Sequence, residues 1–174
     1  PMNLTVESNI TVNLSLVVLD PTQVVTFPDD DLEAAIRNSV YKYSGDLTIA
    51  DVCNPDFDFL WTGEGDIADL SGLEYCRHLK ELYVLGNDID GDDLETISTN
   101  YRLLELQLDK NNIEDIDYLA SLHDLELLIL GPAFIAQYAN TNALDDDDDL
   151  EPIAHLPYLM LLSLTDLDLH EDAL

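Results

Sequence analysis

The side chains able to do chemistry are plentiful in one class and scarce in every other. The 174-residue chain holds 37 Asp and Glu against 6 Lys and Arg, with 4 His and 2 Cys. His78, His123, His155 and His170 are scattered, and none has the Ser–His–Asp or Cys–His company that nucleophilic catalysis needs. No glycine-rich phosphate loop occurs. Paired carboxylates, the mark of general acid–base work, are unavoidable in so acidic a chain and carry no information. The expectation is a protein that is not an enzyme, with no cofactor and no dedicated metal set.

Two acidic stretches invite a calcium reading, because carboxylates are its ligands. Asp145 to Asp149 is a run of five acids; such density favours a solvated loop. Asp88-Ile-Asp90-Gly91-Asp92-Asp93-Leu-Glu95 resembles an EF-hand loop, which needs Gly at position six and Glu at twelve. Counted from Asp88, those positions hold Asp93 and Thr99, so the match fails, and a two-residue bulge on a turn is the plainer reading. Cys53 and Cys76 make neither a disulfide framework nor a metal-site spacing. Lying 23 residues apart, they fit two buried free thiols, with a disulfide as the alternative.

The charge sets the class of partner. At a formal net charge of -31, phosphate backbones and anionic membrane surfaces are disfavoured, because both need Lys and Arg clusters. Hydrophobic residues make up 47% of the chain, enough for a core. No apolar run approaches the ~20 residues of a membrane-spanning helix. Leu14 to Leu19 is too short, and lacks the basic flank, for a signal peptide. The length fits one or two domains, and the Pro1 start reads as an excised or processed piece of something longer.

The elements that must position any site come from an internal repeat. Apolar residues fall at Ile67, Leu70, Leu73, Cys76, Leu79, Leu82 and Val84, followed by Asn87. The middle copy reads Ile89, Leu94, Ile97, Asn100, Leu103, Leu106, Leu108 and Asn111. The next runs Ile113, Ile116, Leu119, Leu122, Leu125, Leu128 and Leu130, and the last runs Leu150, Ile153, Leu156, Leu159, Leu162 and Leu164. Starts at Ile67, Ile89, Ile113, Ile135 and Leu169 are 22, 24, 22 and 34 residues apart, which predicts two extra residues near Gly91 and twelve after Ile135. The L-x-L step is strand periodicity, the steps of three suit a 3₁₀-like return path, and the Asn suits a turn. One coil cannot bury its own apolar side, so coils must stack. This is the leucine-rich-repeat signature.

Two units precede the repeats. Phe27 to Val40 reads as a helix, with Pro28 and the acids after it at the start and Leu32, Ala35, Ile36 and Val40 on one face. Residues 24–66 are expected to form a helical cap and a degenerate first coil beginning at Leu60, ahead of repeats over 67–174 with an insertion at 135–149. Residues 1–20 alternate apolar and polar side chains from Leu4 to Val18, a half-buried strand that ends at Pro21 and could close a preceding domain. Asn3, Asn9 and Asn13 start N-x-[ST] sequons, plainly read as the wet face of that strand.

Together F-P-D-x-x-L-E-A-A-I-R, G-D-L-T-x-A-D, I-A-D-L-S-G-L-E-Y and L-x-x-L-x-L-x-x-N-x-I resemble the internalin-type leucine-rich-repeat family of bacteria, over roughly Val24 to Leu174. Asn100 in an apolar slot, Ala133 in place of the turn Asn, and the interrupted last coil depart from the pattern. The resemblance implies an α/β fold, a curved leucine-rich-repeat solenoid with a parallel concave β-sheet, a 3₁₀ or irregular convex side and an N-terminal helical cap. It also implies a secreted or cell-surface bacterial protein that binds a protein partner of unknown identity through the concave face. A monomeric unit within a larger chain, a passive spacer in a multidomain surface protein, and a Ca²⁺-dependent surface module are the competing pictures.

In the L-x-L register the concave residues are Phe59, Trp61 and Gly63; Glu81, Tyr83 and Leu85; Glu105, Gln107 and Asp109; Leu127, Ile129 and Gly131; and Leu161, Ser163 and Thr165. Trp61 and Tyr83 should be neighbours, Leu127 and Ile129 should add a second apolar area, and Glu81, Glu105 and Asp109 should steer basic partners. Asp69 and Asp115 should cap short helical turns. Acids are absent from the core slots and not enriched on the concave face, so the charge points to solubility in a saline, halophilic or marine setting.

Overall fold

A computed structural model describes residues 19–131, 140–144 and 147–167. The expected strand before Leu19 with its sequons, and the positions Ala133, Ile135, Asp145, Asp146, Leu169 and His170, lie outside the described residues. Five three-residue strands form one parallel sheet in chain order: β1 (Phe59–Trp61), β2 (Glu81–Tyr83), β3 (Glu105–Gln107), β4 (Leu127–Ile129) and β5 (Leu161–Ser163). Their central residues Leu60, Leu82, Leu106, Leu128 and Leu162 are register partners. The first four are wholly buried, whereas Leu162, on the edge strand, is 38% exposed. The steps of three return through short 3₁₀ turns at Leu73–Tyr75 and Asp117–Ser121. The two extra residues near Gly91 lengthen that return into an α-helix, α3 (Leu94–Ser98). Asp69 and Asp115 accept the N–H groups of Ser71 (2.8 Å) and Asp117 (2.7 Å) ahead of two of these turns.

At the first-coil end, α1 (Asp30–Ser39) begins at Asp29, whose carboxylate accepts the N–H groups of Asp31 (3.0 Å) and Leu32 (2.9 Å). Its second oxygen accepts the Ala68 N–H at 3.1 Å, tying the helix start to the second coil. Leu32, Ala35 and Ile36 enter the same core as Leu60 of the first strand. A short α2 (Ile49–Val52) follows. Burial pushes the Asp51 carboxyl up, but bonds from Lys42 (2.6 Å) and from Thr48 N–H and Oγ1 (2.7 and 2.6 Å) outweigh it and hold it below the usual range.

The turn asparagines link the coils. Asn111 Oδ1 accepts the N–H of Ile89 (3.1 Å), one coil back, and its Nδ2 donates to the carbonyls of Leu108 (2.9 Å) and Val84 (3.0 Å). Asn87 does the same for Ile67 (3.2 Å), Val84 (3.1 Å) and Gly63 (3.0 Å). In the fourth coil the place is filled by Asn142, which accepts from Ile113 (3.0 Å) and donates to Leu108 (2.9 Å) and Leu130 (2.8 Å). This corrects the expected position of the insertion. The repeat start is Leu144, wholly buried two residues after Asn142, rather than Ile135, and most of the extra chain precedes the turn asparagine instead of following it. Counting by period alone mistook residues inside the insertion for the next repeat. Asn100 is also satisfied in its apolar slot, donating to the Leu73 carbonyl at 3.1 Å. Cys76 is buried and Cys53 half-buried, both as free thiols.

Gly72 has φ 102°, and a Cβ there would meet the Phe27 ring at 2.5 Å. Gly72→Ala should therefore cost about 1–3 kcal/mol from the backbone alone, and more from displacing Phe27. Gly45→Ala, at φ 76° with open space around it, should cost only about 1–2 kcal/mol. Equal losses in urea denaturation would contradict the close approach. Asn142→Ala should destabilise as much as Asn111→Ala, at about 1–3 kcal/mol for each buried group left without a partner. A much smaller loss at Asn142 would mean that the insertion does not carry the fourth-coil turn.

Candidate protein-binding face

Side chains alternate across each strand, so with the central leucines in the core the flanking residues stand on the outer sheet face. One row there runs Phe59, Glu81, Glu105, Leu127 and Leu161; the next runs Trp61, Tyr83, Gln107, Ile129 and Ser163. These are the positions expected from the L-x-L register. Their exposure is uneven. Trp61 is 60% exposed and Phe59 45%, while Ile129 is 6% and Asp109 3% exposed.

Trp61 and Tyr83 are register partners, as expected, but the ring contact is made by Phe59. Its ring meets that of Tyr83 edge-on at 5.4 Å and 86°, a geometry favoured by the ring quadrupoles. Trp61 is left open beside them. The Tyr83 hydroxyl donates to Glu105. Burial pushes the Tyr83 phenol well up, and the neighbouring carboxylates of Glu105 and Glu81 push it further.

Three expectations for the far part of this face are corrected. Ile129 is buried and Leu127 half-buried, so no second open apolar area forms there. Ser163 is buried as well, its Oγ donating to the Gly131 carbonyl at 2.8 Å. Asp109 cannot steer a partner, because it is buried and accepts the Gln107 Nε2 at 2.7 Å. The closed region adjoins the return of the insertion, where Asn140 accepts from the Lys110 N–H (2.8 Å) and donates to the Leu130 carbonyl (2.9 Å). Leu85 is half-buried, and Thr165 and Leu161 are exposed. The open aromatic face is thus confined to the strands of the first two coils, with Glu105 at its border.

The other chemistry-bearing groups do not join it. Asp90, Gly91, Asp92, Asn112, Glu114 and Asp115 line an open depression of about 430 Å³. There Asp90 accepts the N–H of Asp92 (2.9 Å), and Asp93 accepts those of Asp90 (3.1 Å) and Leu70 (3.4 Å). Burial pushes the Asp93 carboxyl up. Among the described residues no group of three or more His, Cys, Asp or Glu is placed to hold a metal ion. His78 Nδ1 lies 3.1 Å from the Arg102 guanidinium, while His123 and His155 are exposed. Among the described residues no helix is long and apolar enough to cross a membrane.

A phenol held protonated in the fold contributes stability below its ordinary value of 10.0. That contribution is lost as pH rises further, because the unfolded chain ionises first. Urea denaturation between about pH 8 and about pH 11 should therefore show a steeper fall in the native chain than in Tyr83→Phe. Parallel falls would sink the assignment.

No protein-family model matches the sequence, and no curated protein does either. Solved structures do. An internalin, InlF, from Listeria monocytogenes is similar at 24% identity and a TM-score of 0.57, over 83% of this chain and 45% of that one. The functional domain of InlJ from Listeria monocytogenes, which includes a cysteine ladder, is similar at 22% identity and a TM-score of 0.68, over 87% of this chain and 31% of that one. The chain spans less than half the length of either. Its stacked coils, its parallel sheet and these two likenesses agree on one architecture: the chain has the internalin-type leucine-rich-repeat fold.

Proposed function

We propose that this chain is a protein–protein interaction module of a secreted or cell-surface bacterial protein, and that it binds its partner through the concave sheet face. The observation that carries the reading is the open pair of Phe59 and Trp61, beside the half-buried Tyr83, on a sheet whose backbone is already paired. Exposed aromatic side chains on a rigid scaffold bring large contact area with little ordering cost, the combination that dominates binding energy. The likeness in fold to InlF and InlJ supports the surface location. The surplus of acids spread over the wet surface supports a saline setting, where salt screens their repulsion.

Trp61→Ala combined with Tyr83→Ala should abolish partner binding and leave folding intact. Neither ring fills the core, so the double variant should still fold cooperatively, with a melting temperature lowered only by the lost Phe59 contact and Glu105 bond. The partner is first recovered from the native surroundings on immobilised chain, then titrated against both proteins. An unchanged affinity for the double variant would remove the concave face from consideration.

A further inference from the structure

We propose that the concave face carries a subsite for an arginine side chain of the protein partner, formed by the carboxylates of Glu81 and Glu105 beside the rings of Phe59 and Tyr83. This rests on the concave-face reading above and adds the chemistry of the partner. Glu81 and Glu105 are register partners across β2 and β3, on strands that neighbour at ~4.8 Å. Like charges directly opposite each other in a sheet are destabilising. The two share one nearby phenol: Tyr83 donates to Glu105, with Glu81 also in reach. One neutral phenol does not cancel two negative charges.

Five of the chain's six cations are engaged elsewhere. Arg37 pairs with Glu33 (2.7 Å), Lys42 with Asp51 (2.6 Å), Lys80 with Asp58 (3.0 Å) and Lys110 with Glu64 (3.0 Å). Arg102 contacts His78, and Arg77 is exposed on the return path. Acids at turns, such as Asp29, Asp69 and Asp115, serve backbone N–H groups. Glu81 and Glu105 accept no backbone N–H among the described bonds, so the fold itself gains little from their charge. A local conflict kept on an exposed face is expected where binding relieves it.

The missing complement is a cation with a flat face. A guanidinium matches paired carboxylate oxygens and stacks on aromatic rings, whereas an ammonium does only the first and less specifically. Phe59, 45% exposed and the register partner of Glu81, offers the stacking surface next to the acid pair, with Trp61 two residues further along the same strand.

The test uses a capped Gly-Arg-Gly-Arg-Gly peptide and its citrulline counterpart, which keeps the shape and loses the charge. Trp61 is the single tryptophan of the chain, so its emission reports binding at this face. The arginine peptide should shift Trp61 emission saturably, and the citrulline peptide should bind at least about tenfold more weakly. Glu81→Gln with Glu105→Gln should weaken the arginine peptide by a similar factor and raise the melting temperature, since the repulsion is gone. A structural role for the pair would lower it. Glu114→Gln with Asp124→Asn, exposed acids elsewhere, should change neither. Equal binding of both peptides, or equal loss in both acid variants, overturns the subsite. If the recovered partner is lost by the Trp61/Tyr83 variant but kept by the Glu81/Glu105 variant, the subsite falls and the concave face stands. If both variants keep the partner, the concave face itself falls.

Discussion

Each buried turn asparagine does in one side chain what a hydrogen-bonded ladder does along a strand. Asn87, Asn111 and Asn142 each accept a backbone N–H from the preceding coil and donate to carbonyls of both coils. A turn buried in the stack has polar backbone groups that no water reaches, and leaving them unpaired would cost more than the apolar contacts nearby return. The side-chain amide is the group that both gives and accepts at this position. Once it is in place, the spacing from turn to strand is set, and the leucines of successive strands fall into register. The flat row of side chains on the outer face is a consequence of that register. The outer sheet face therefore depends on atoms buried beneath it.

The acids obey the same constraint from outside. Among the described residues none occupies a core position; the buried carboxylate of Asp109 lies on the sheet face and has its own amide donor in Gln107. Elsewhere acids settle at helix and turn starts, where backbone N–H groups need acceptors, or remain in water. Glu81 and Glu105 fit neither use. They share a row with Phe59, and their charges oppose each other across adjacent strands. The stacking that makes a repeat fold rigid also places like residues next to like, so a row of acids stays on a face only where that face has another use.

Much of this could be read from the sequence, for a reason of physics. The apolar steps of three and two report burial, burial reports the coil, and the coil sets which residues face outward. That chain of inference reaches Phe59, Trp61, Glu81, Tyr83, Glu105 and Gln107 correctly, because the coils carrying β1, β2 and β3 keep a constant count from strand to turn. It fails from the fourth coil on. There the period alone marked Ile135, whereas the hydrogen bonds mark Asn142 and Leu144. The two readings diverge because an inserted loop also contains apolar residues, and only the asparagine's need for partners tells a turn from a coincidence. The signal was present as Asn142 two residues before Leu144, the same offset as Asn87 to Ile89 and Asn111 to Ile113.

Ile129 and Asp109 could not be read at all, because period-two alternation says which side of a sheet a residue takes and not what else covers that side. Both lie close to the return of the insertion at the C-terminal ends of β3 and β4, where Asn140 bonds Lys110 and Leu130 across segments with no shared pattern. The insertion thus returns beside the buried part of the sheet face. With Asp109, Ile129 and Ser163 buried, the open aromatic side chains of this face lie on β1, beside the half-buried Tyr83, Glu81 and Glu105. A uniform solenoid would present every row equally. Here the row changes character at the fourth coil, where Ile129 is buried and Trp61, at the other end, is open.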